Sequence, residues 1–134
     1  MSSGSPGSSA PPLPKHGNVH NAPGPLGCRY TDSLHQLEIQ LVCRGVREKT
    51  FLKRGNTDVH IRFDHISLSV TVEIFDLNKV TKVKTVHDRR YYEVDKFPSE
   101  IIDVTFKLKK DCVVVLIKKK VASSWEGLIS QQGF

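Results

Sequence analysis

The sequence predicts an all-β domain, an antiparallel β-sandwich of six or seven strands. Three observations carry this expectation. Apolar residues recur at every second position over most of the chain after residue 27. The alternating runs are short and separated by turn signals. No segment combines a 3.6-residue apolar period with capping residues, so no helix is expected.

The elements follow in chain order. "LHQLEIQLV" (residues 34–42) puts Leu37, Ile39 and Leu41 on one face, against Glu38, Gln40 and Val42. "DVHIRF" (residues 58–63) sets Val59, Ile61 and Phe63 inward, with His60 and Arg62 outward. "ISLSVTVEIF" (residues 66–75) alternates Ile66, Leu68, Val70, Val72 and Ile74 with polar neighbours and Phe75. One dry and one wet face per strand is the mark of half-buried antiparallel strands. Asp64 and His65 leave room only for a tight turn, which makes the last two runs a hairpin. "RRYYEVDKF" (residues 89–97) alternates again until Pro98, which lacks a ladder donor, stops it. "DVTFKL" turns through "KKD" into "CVVVLIKK", a continuous β-branched run suited to a central strand covered on both faces. Two basic connections, residues 44–57 and 76–88, exceed what a hairpin needs and are read as loops or extensions of their strands.

Residues 1–27 hold six of the seven prolines and almost no large apolar side chains. Such a segment cannot bury enough surface to offset its chain entropy, and a disordered tail is expected. The domain then spans residues 28–128, followed by a C-terminal tail at 129–134. The tail has no basic start with an apolar core, so it does not read as a signal peptide, and no apolar run is long enough to span a membrane. Cys28, Cys43 and Cys112 form an odd set without a C-x-x-C pair. Reduced thiols in a cytoplasmic protein, with the nucleus as an alternative, are expected, and Cys43 and Cys112 read as core residues.

No residue pattern points to chemistry. There is no G-x-S-x-G, H-E-x-x-H or glycine-rich phosphate loop, so the expectation is a non-enzyme with no catalytic residue and no cofactor. The six histidines fall in the tail, a turn, a loop and outward strand positions without metal-ligand spacing, and no metal site is expected. The net charge of +6 suits an acidic partner. The candidates for partner contact are Arg89, Arg90, Tyr91, Tyr92, Lys107, Lys109 and Lys118, basic and aromatic residues on strands taken as neighbours. One of the adjacent tyrosines is expected to face outward. Lysines 118–120 are expected near Lys107, Lys109 and Lys110 across one hairpin, at a solvated edge that also resists strand-to-strand aggregation. The same charge beside exposed aromatic rings would suit single-stranded nucleic acid, the alternative reading. "PPLPK" in the tail offers a P-x-x-P frame for an aromatic groove.

The ending "VVVLIKKKVASSWEGL" resembles the closing signature of the CS domain, the β-sandwich of heat-shock-chaperone cochaperones, NudC-type proteins and calcyclin-binding proteins. A hydrophobic strand (Val113, Val115, Ile117) runs into Lys118 and Lys119, then Ser124, Trp125 and Leu128. "YTDSLHQLEIQL", "DVHIRFDHISLSVTV" and "YYEVDKFPSEI" match earlier passages of the family in order. Tyr30 stands where the family's first-strand Trp is usual, and Ser99 separates Pro98 from Glu100. The resemblance covers residues 30–128 and implies a protein-protein interaction module. It would be a cochaperone or adaptor, binding the ninety-kilodalton heat-shock chaperone or its client assemblies. Small heat-shock proteins share this sandwich, but "ISQQGF" lacks their I-x-I-type tail, so a monomer is expected. A further alternative makes the domain one module of a larger protein. Trp125 with Leu128 is expected to anchor the polar exit onto the sandwich.

Overall fold

The computed structural model describes residues 22–48 and 55–132. It contains β1 (Gly27–Asp32), β2 (Gln36–Val42), β3 (Thr57–Phe63), β4 (Leu68–Leu77), β5 (Lys84–Val94), β6 (Ile101–Lys109), β7 (Cys112–Lys119) and α1 (Glu126–Gln132). One sheet has the order β1-β2-β7-β6, the other β3-β4-β5, and every pairing is antiparallel. The core joins Leu37, Ile39 and Leu41 of β2 and Val113, Val115 and Ile117 of β7 to Leu68, Val70, Val72 and Ile74 of β4. The protein is therefore the antiparallel β-sandwich that its period-two patterning predicts. β7 occupies the centre of its sheet, and its outward-facing Val114 is buried as well.

Register accounts for the departures. Phe63, expected inside, is exposed, because β3 is an edge strand and its last residue lies at an open corner beside the turn. That turn is held by Asp64, whose Oδ1 accepts the amides of Ile66 and Ser67 at 2.8 and 2.7 Å. A bulge between Ile74 and Phe75 turns both side chains to buried positions. Beyond it β4 and β5 continue together to Leu77 and Lys84, so the basic connection at 76–88 is the arm of a long hairpin.

Both domain boundaries move outward. Pro23 O accepts the Tyr91 amide at 2.8 Å, and the Leu26 amide donates to Val42 O at 2.8 Å. Residues 22–26 thus bridge the β5 edge and the β1-β2 sheet, while the rest of the expected tail, with "PPLPK", lies outside the described residues. At the other end, the side chain of Ile129, assigned to a tail, belongs to the core.

One end of the sandwich is knitted by a chain of hydrogen bonds. Asp111, at φ 56°, accepts the Gly45 amide on its carboxylate at 2.8 Å, and its carbonyl accepts the Cys43 amide at 3.0 Å. Gly45 sits at φ +99°, a conformation that side chains rarely adopt. Asn56 donates to Gly45 O at 2.7 Å, accepts the Arg47 amide at 3.2 Å, and takes the Phe75 amide on its own carbonyl at 2.9 Å. The turn between β6 and β7 is in this way tied to the root of the β4–β5 arm.

Candidate functional site

Two surfaces and one buried cluster gather the residues singled out by sequence. The cluster lies where β7 leaves the sandwich. Lys119 pairs with Ile101 and shares the inward side of β7 with Ile117. It is not part of a solvated exit: its ammonium is fully buried, donating to Asp32 Oδ1 at 2.6 Å, Ser33 O at 2.6 Å and Ser123 O at 2.5 Å. Three acceptors match the three donors of an ammonium. The ammonium also lies 4.5 Å from the centre of the Trp125 ring. Asp32 Oδ2 accepts the amides of Trp125 at 2.7 Å and Glu126 at 3.1 Å, capping α1 from the first strand. Trp125 is 1% exposed, stacks on Phe97 at 5.6 Å between centroids, and donates from Nε1 to Ser99 Oγ at 3.1 Å. The anchor role expected of Trp125 has these contacts behind it. Leu128 does not share it: Leu128 is 43% exposed and Ile129, one residue on, is buried instead. A helical turn after Trp125 rotates position 128 outward, a rotation that an extended reading misses.

The contact candidates divide between the two sheets. Arg89, Arg90, Tyr91 and Tyr92 lie on β5, whereas Lys107, Lys109 and Lys118 lie on β6 and β7, so the supposed neighbours are not neighbours. Tyr92 pairs with Val70 and packs against the core. Tyr91 faces the other way but is only 8% exposed, its hydroxyl donating to Glu93 Oε2 at 3.1 Å. Burial first, then the Glu93 charge, push its phenol up to about 12. Neither tyrosine offers an exposed ring. Arg89 is bound to Glu73 at 2.6 Å and Arg90 to Asp88 at 3.2 Å.

On the outer face of the other sheet, Arg29, Gln40, Val114 and Lys107 form one cross-strand row, and Val42, Cys112 and Lys109 the next. Arg29, Lys107 and Lys109 are exposed around half-buried Val42 and Leu116. Lys118 is exposed on the same face opposite Asp103. It lies six residues along β7 from Cys112, about 20 Å from the Lys109 end, so the lysines of this hairpin form no single patch.

A third group went unread in the sequence. Asp58, His60 and Glu73 bring their ligand atoms within 4.8 Å of one another on the outer face of the β3-β4-β5 sheet. Lys84 holds Asp58 at 2.6 Å, Arg89 holds Glu73 at 2.6 Å, and His60 lies 3.1 Å from Glu73. Burial raises the Glu73 carboxyl, and the hydrogen bonds and charges of Arg89 and His60 outweigh it, leaving it below its ordinary value. Both carboxylates already hold cations of the protein's own, so the group is a surface ion-pair lattice. The open depression of about 360 Å³ at the β3–β4 turn is lined by Arg62, Asp64, Glu93 and Asp95. Asp64 there is committed to the turn amides, which hold its carboxyl below the usual range.

The three cysteines are free thiols, Cys28 exposed, Cys112 half-buried and Cys43 buried. Burial pushes the Cys43 thiol up to about 12. A thiol reagent at pH 8 is expected to label Cys28 first and Cys112 slowly, and to reach Cys43 only on unfolding. Mass spectrometry of the native protein checks this, and early labelling of Cys43 would contradict its place in the core.

Among the described residues no helix is long and apolar enough to cross a membrane. No family model matches this sequence, and comparison with curated proteins finds no match.

Proposed function

We propose that this chain is a non-enzymatic protein-interaction module of the CS type, a cochaperone or adaptor of the cytosol or nucleus that binds a large heat-shock chaperone or its client assemblies. The sandwich and the ordered motifs of residues 30–128 support the reading. The observation that carries it is the outer face of the β1-β2-β7-β6 sheet, where Arg29, Lys107 and Lys109 surround a half-apolar strip. A basic rim around an apolar centre fits an acidic protein surface, with the charges setting encounter rate and orientation. Among the described residues β6 pairs only with β7, and its other edge lies beside the same lysines. Lys107 and Lys109 remain in this proposal. Lys118, at the far end of the face, and the ion-paired β5 arginines have lesser parts, and the enclosed tyrosines have none.

The test is a pull-down of the purified ninety-kilodalton chaperone by the full chain at low salt. Lys107→Glu with Lys109→Glu is expected to weaken capture about tenfold or more, since each reversal places like charge against an acidic partner. No capture by the unaltered chain would sink the cochaperone reading. The nucleic-acid alternative loses its proposed stacking platforms with Tyr91 and Tyr92 enclosed. Single-stranded oligonucleotides in the same assay, with salt raised, measure what remains of it.

A further inference from the structure

We infer that the β4–β5 hairpin arm is a docking finger for an anionic lipid surface. The inference does not rest on the chaperone reading and is carried by a different element. β3 begins at Thr57, opposite Ile74, whereas β4 and β5 stay paired through Leu77 and Lys84, so the arm projects beyond the third strand of its sheet. Its turn is fixed: Asn78 Oδ1 accepts the amides of Val80 and Thr81, each at 2.9 Å, and Asn78 O accepts the Lys82 amide at 2.8 Å. Lys84 braces the root, bound to Asp58 and lying 4.3 Å over the Phe75 ring.

This firm turn presents apolar side chains to solvent. Val80 is 89% exposed and Val83 57%, with Val86 partly exposed below them. Lys79 and Lys82 are exposed beside the valines, and residues 77–87 contain no acidic side chain. The hydrogen-bonded chain through Asp111, Gly45 and Asn56 places Arg44, Arg47, Lys109 and Lys110 at the same end, against Asp76 and Glu48 and the already bonded Asp58, Asp88 and Asp111. Asp64, Asp95, Glu100 and Glu126 lie at turns and exits of the opposite end and would face away.

Charge complementarity selects an anionic surface, and the valines select lipid among such surfaces. Branched aliphatic tips gain by entering the headgroup–acyl boundary while lysines beside them meet acidic headgroups. A nucleic acid would reward charge and stacking, and residues 76–88 contain no Phe, Tyr or Trp. A second copy docked tip to tip would set Lys79 and Lys82 against their own kind. The contact is peripheral and needs no spanning element.

The experiment is co-sedimentation of the full chain with phosphatidylcholine vesicles, and with vesicles in which about a quarter of the lipid is phosphatidylserine, near physiological salt. Binding to the anionic vesicles and not to the neutral ones is expected. Val80→Ser with Val83→Ser should weaken it about tenfold, and Lys79→Glu with Lys82→Glu by at least about twentyfold. Melting should stay unchanged, because all four side chains stand outside the core. Failure to bind the anionic vesicles overturns the inference. So does equal binding by the serine variant, which would mark a charge-only polyanion contact. The Lys107 and Lys109 variant separates the two proposals, since lipid binding should largely survive it.

Discussion

Asp32→Ala is expected to cost about 3–5 kcal/mol of stability, the scale of breaking a buried ion pair by removing one partner. Three losses coincide. The buried Lys119 ammonium loses the carboxylate that holds it at 2.6 Å. The amides of Trp125 and Glu126 lose the acceptor that caps α1. The pin from β1 to the C-terminal segment, across 93 residues of chain, is removed. For a domain of this size the melting temperature should fall by the order of 15–30 °C, read by calorimetry or circular dichroism. Asp32→Asn keeps an acceptor oxygen for the helix amides but not the charge, and should fall between. Adding Lys119→Met to Asp32→Ala should recover part of the loss, because the uncompensated charge then disappears. A loss below about 1 kcal/mol for Asp32→Ala would mean that Lys119 finds water or another acceptor, and would refute the buried network.

Trp125→Ala is expected to be comparably severe, about 3–5 kcal/mol, the range for emptying a buried aromatic site. The ring fills the space between Phe97 and Lys119, and its removal opens a cavity and strips the ammonium of its aromatic neighbour. Trp125→Phe should recover most of this, keeping the stack while losing the bond to Ser99 Oγ at about 1 kcal/mol. Leu128→Ala, by contrast, should lie within about 0.5 kcal/mol of the unaltered protein, as exposed positions do. Equal losses at 125 and 128 would return Leu128 to the anchor.

These contrasts mark where the sequence was legible. Leu37, Ile39 and Leu41, and Leu68 through Ile74, were placed correctly because a two-residue period encodes facing directly. α1 was missed because its cap is Asp32, distant in sequence, and no local pattern announces a cap supplied from another strand. Lys119 was read as solvated for a similar reason. A lysine run looks exposed until the strand's parity sends one of its members inward. The contact candidates, expected on neighbouring strands, lie apart because the chain crosses between sheets from β5 to β6. The valine tip escaped notice because Val80, Val83 and Val86 are separated by polar residues, and projection becomes visible only when Leu77 pairs with Lys84.

The capping of α1 by β1 has a bearing on how the chain acquires its fold. A protein is made from its N-terminus, and β1 emerges long before the ammonium and amide partners of its Asp32 carboxylate exist. β2 must likewise wait for β7, its partner on the far side. Pairings of such long sequence separation place the domain among slow folders, on the scale of milliseconds to seconds. Until Trp125 leaves the ribosome, Asp32 has neither ammonium nor amide to hold, and the first strand has no final clasp. Closure thus waits for residues 125 and 126 to emerge, and a nascent chain arrested before residue 125 should remain open to proteases that the folded domain resists.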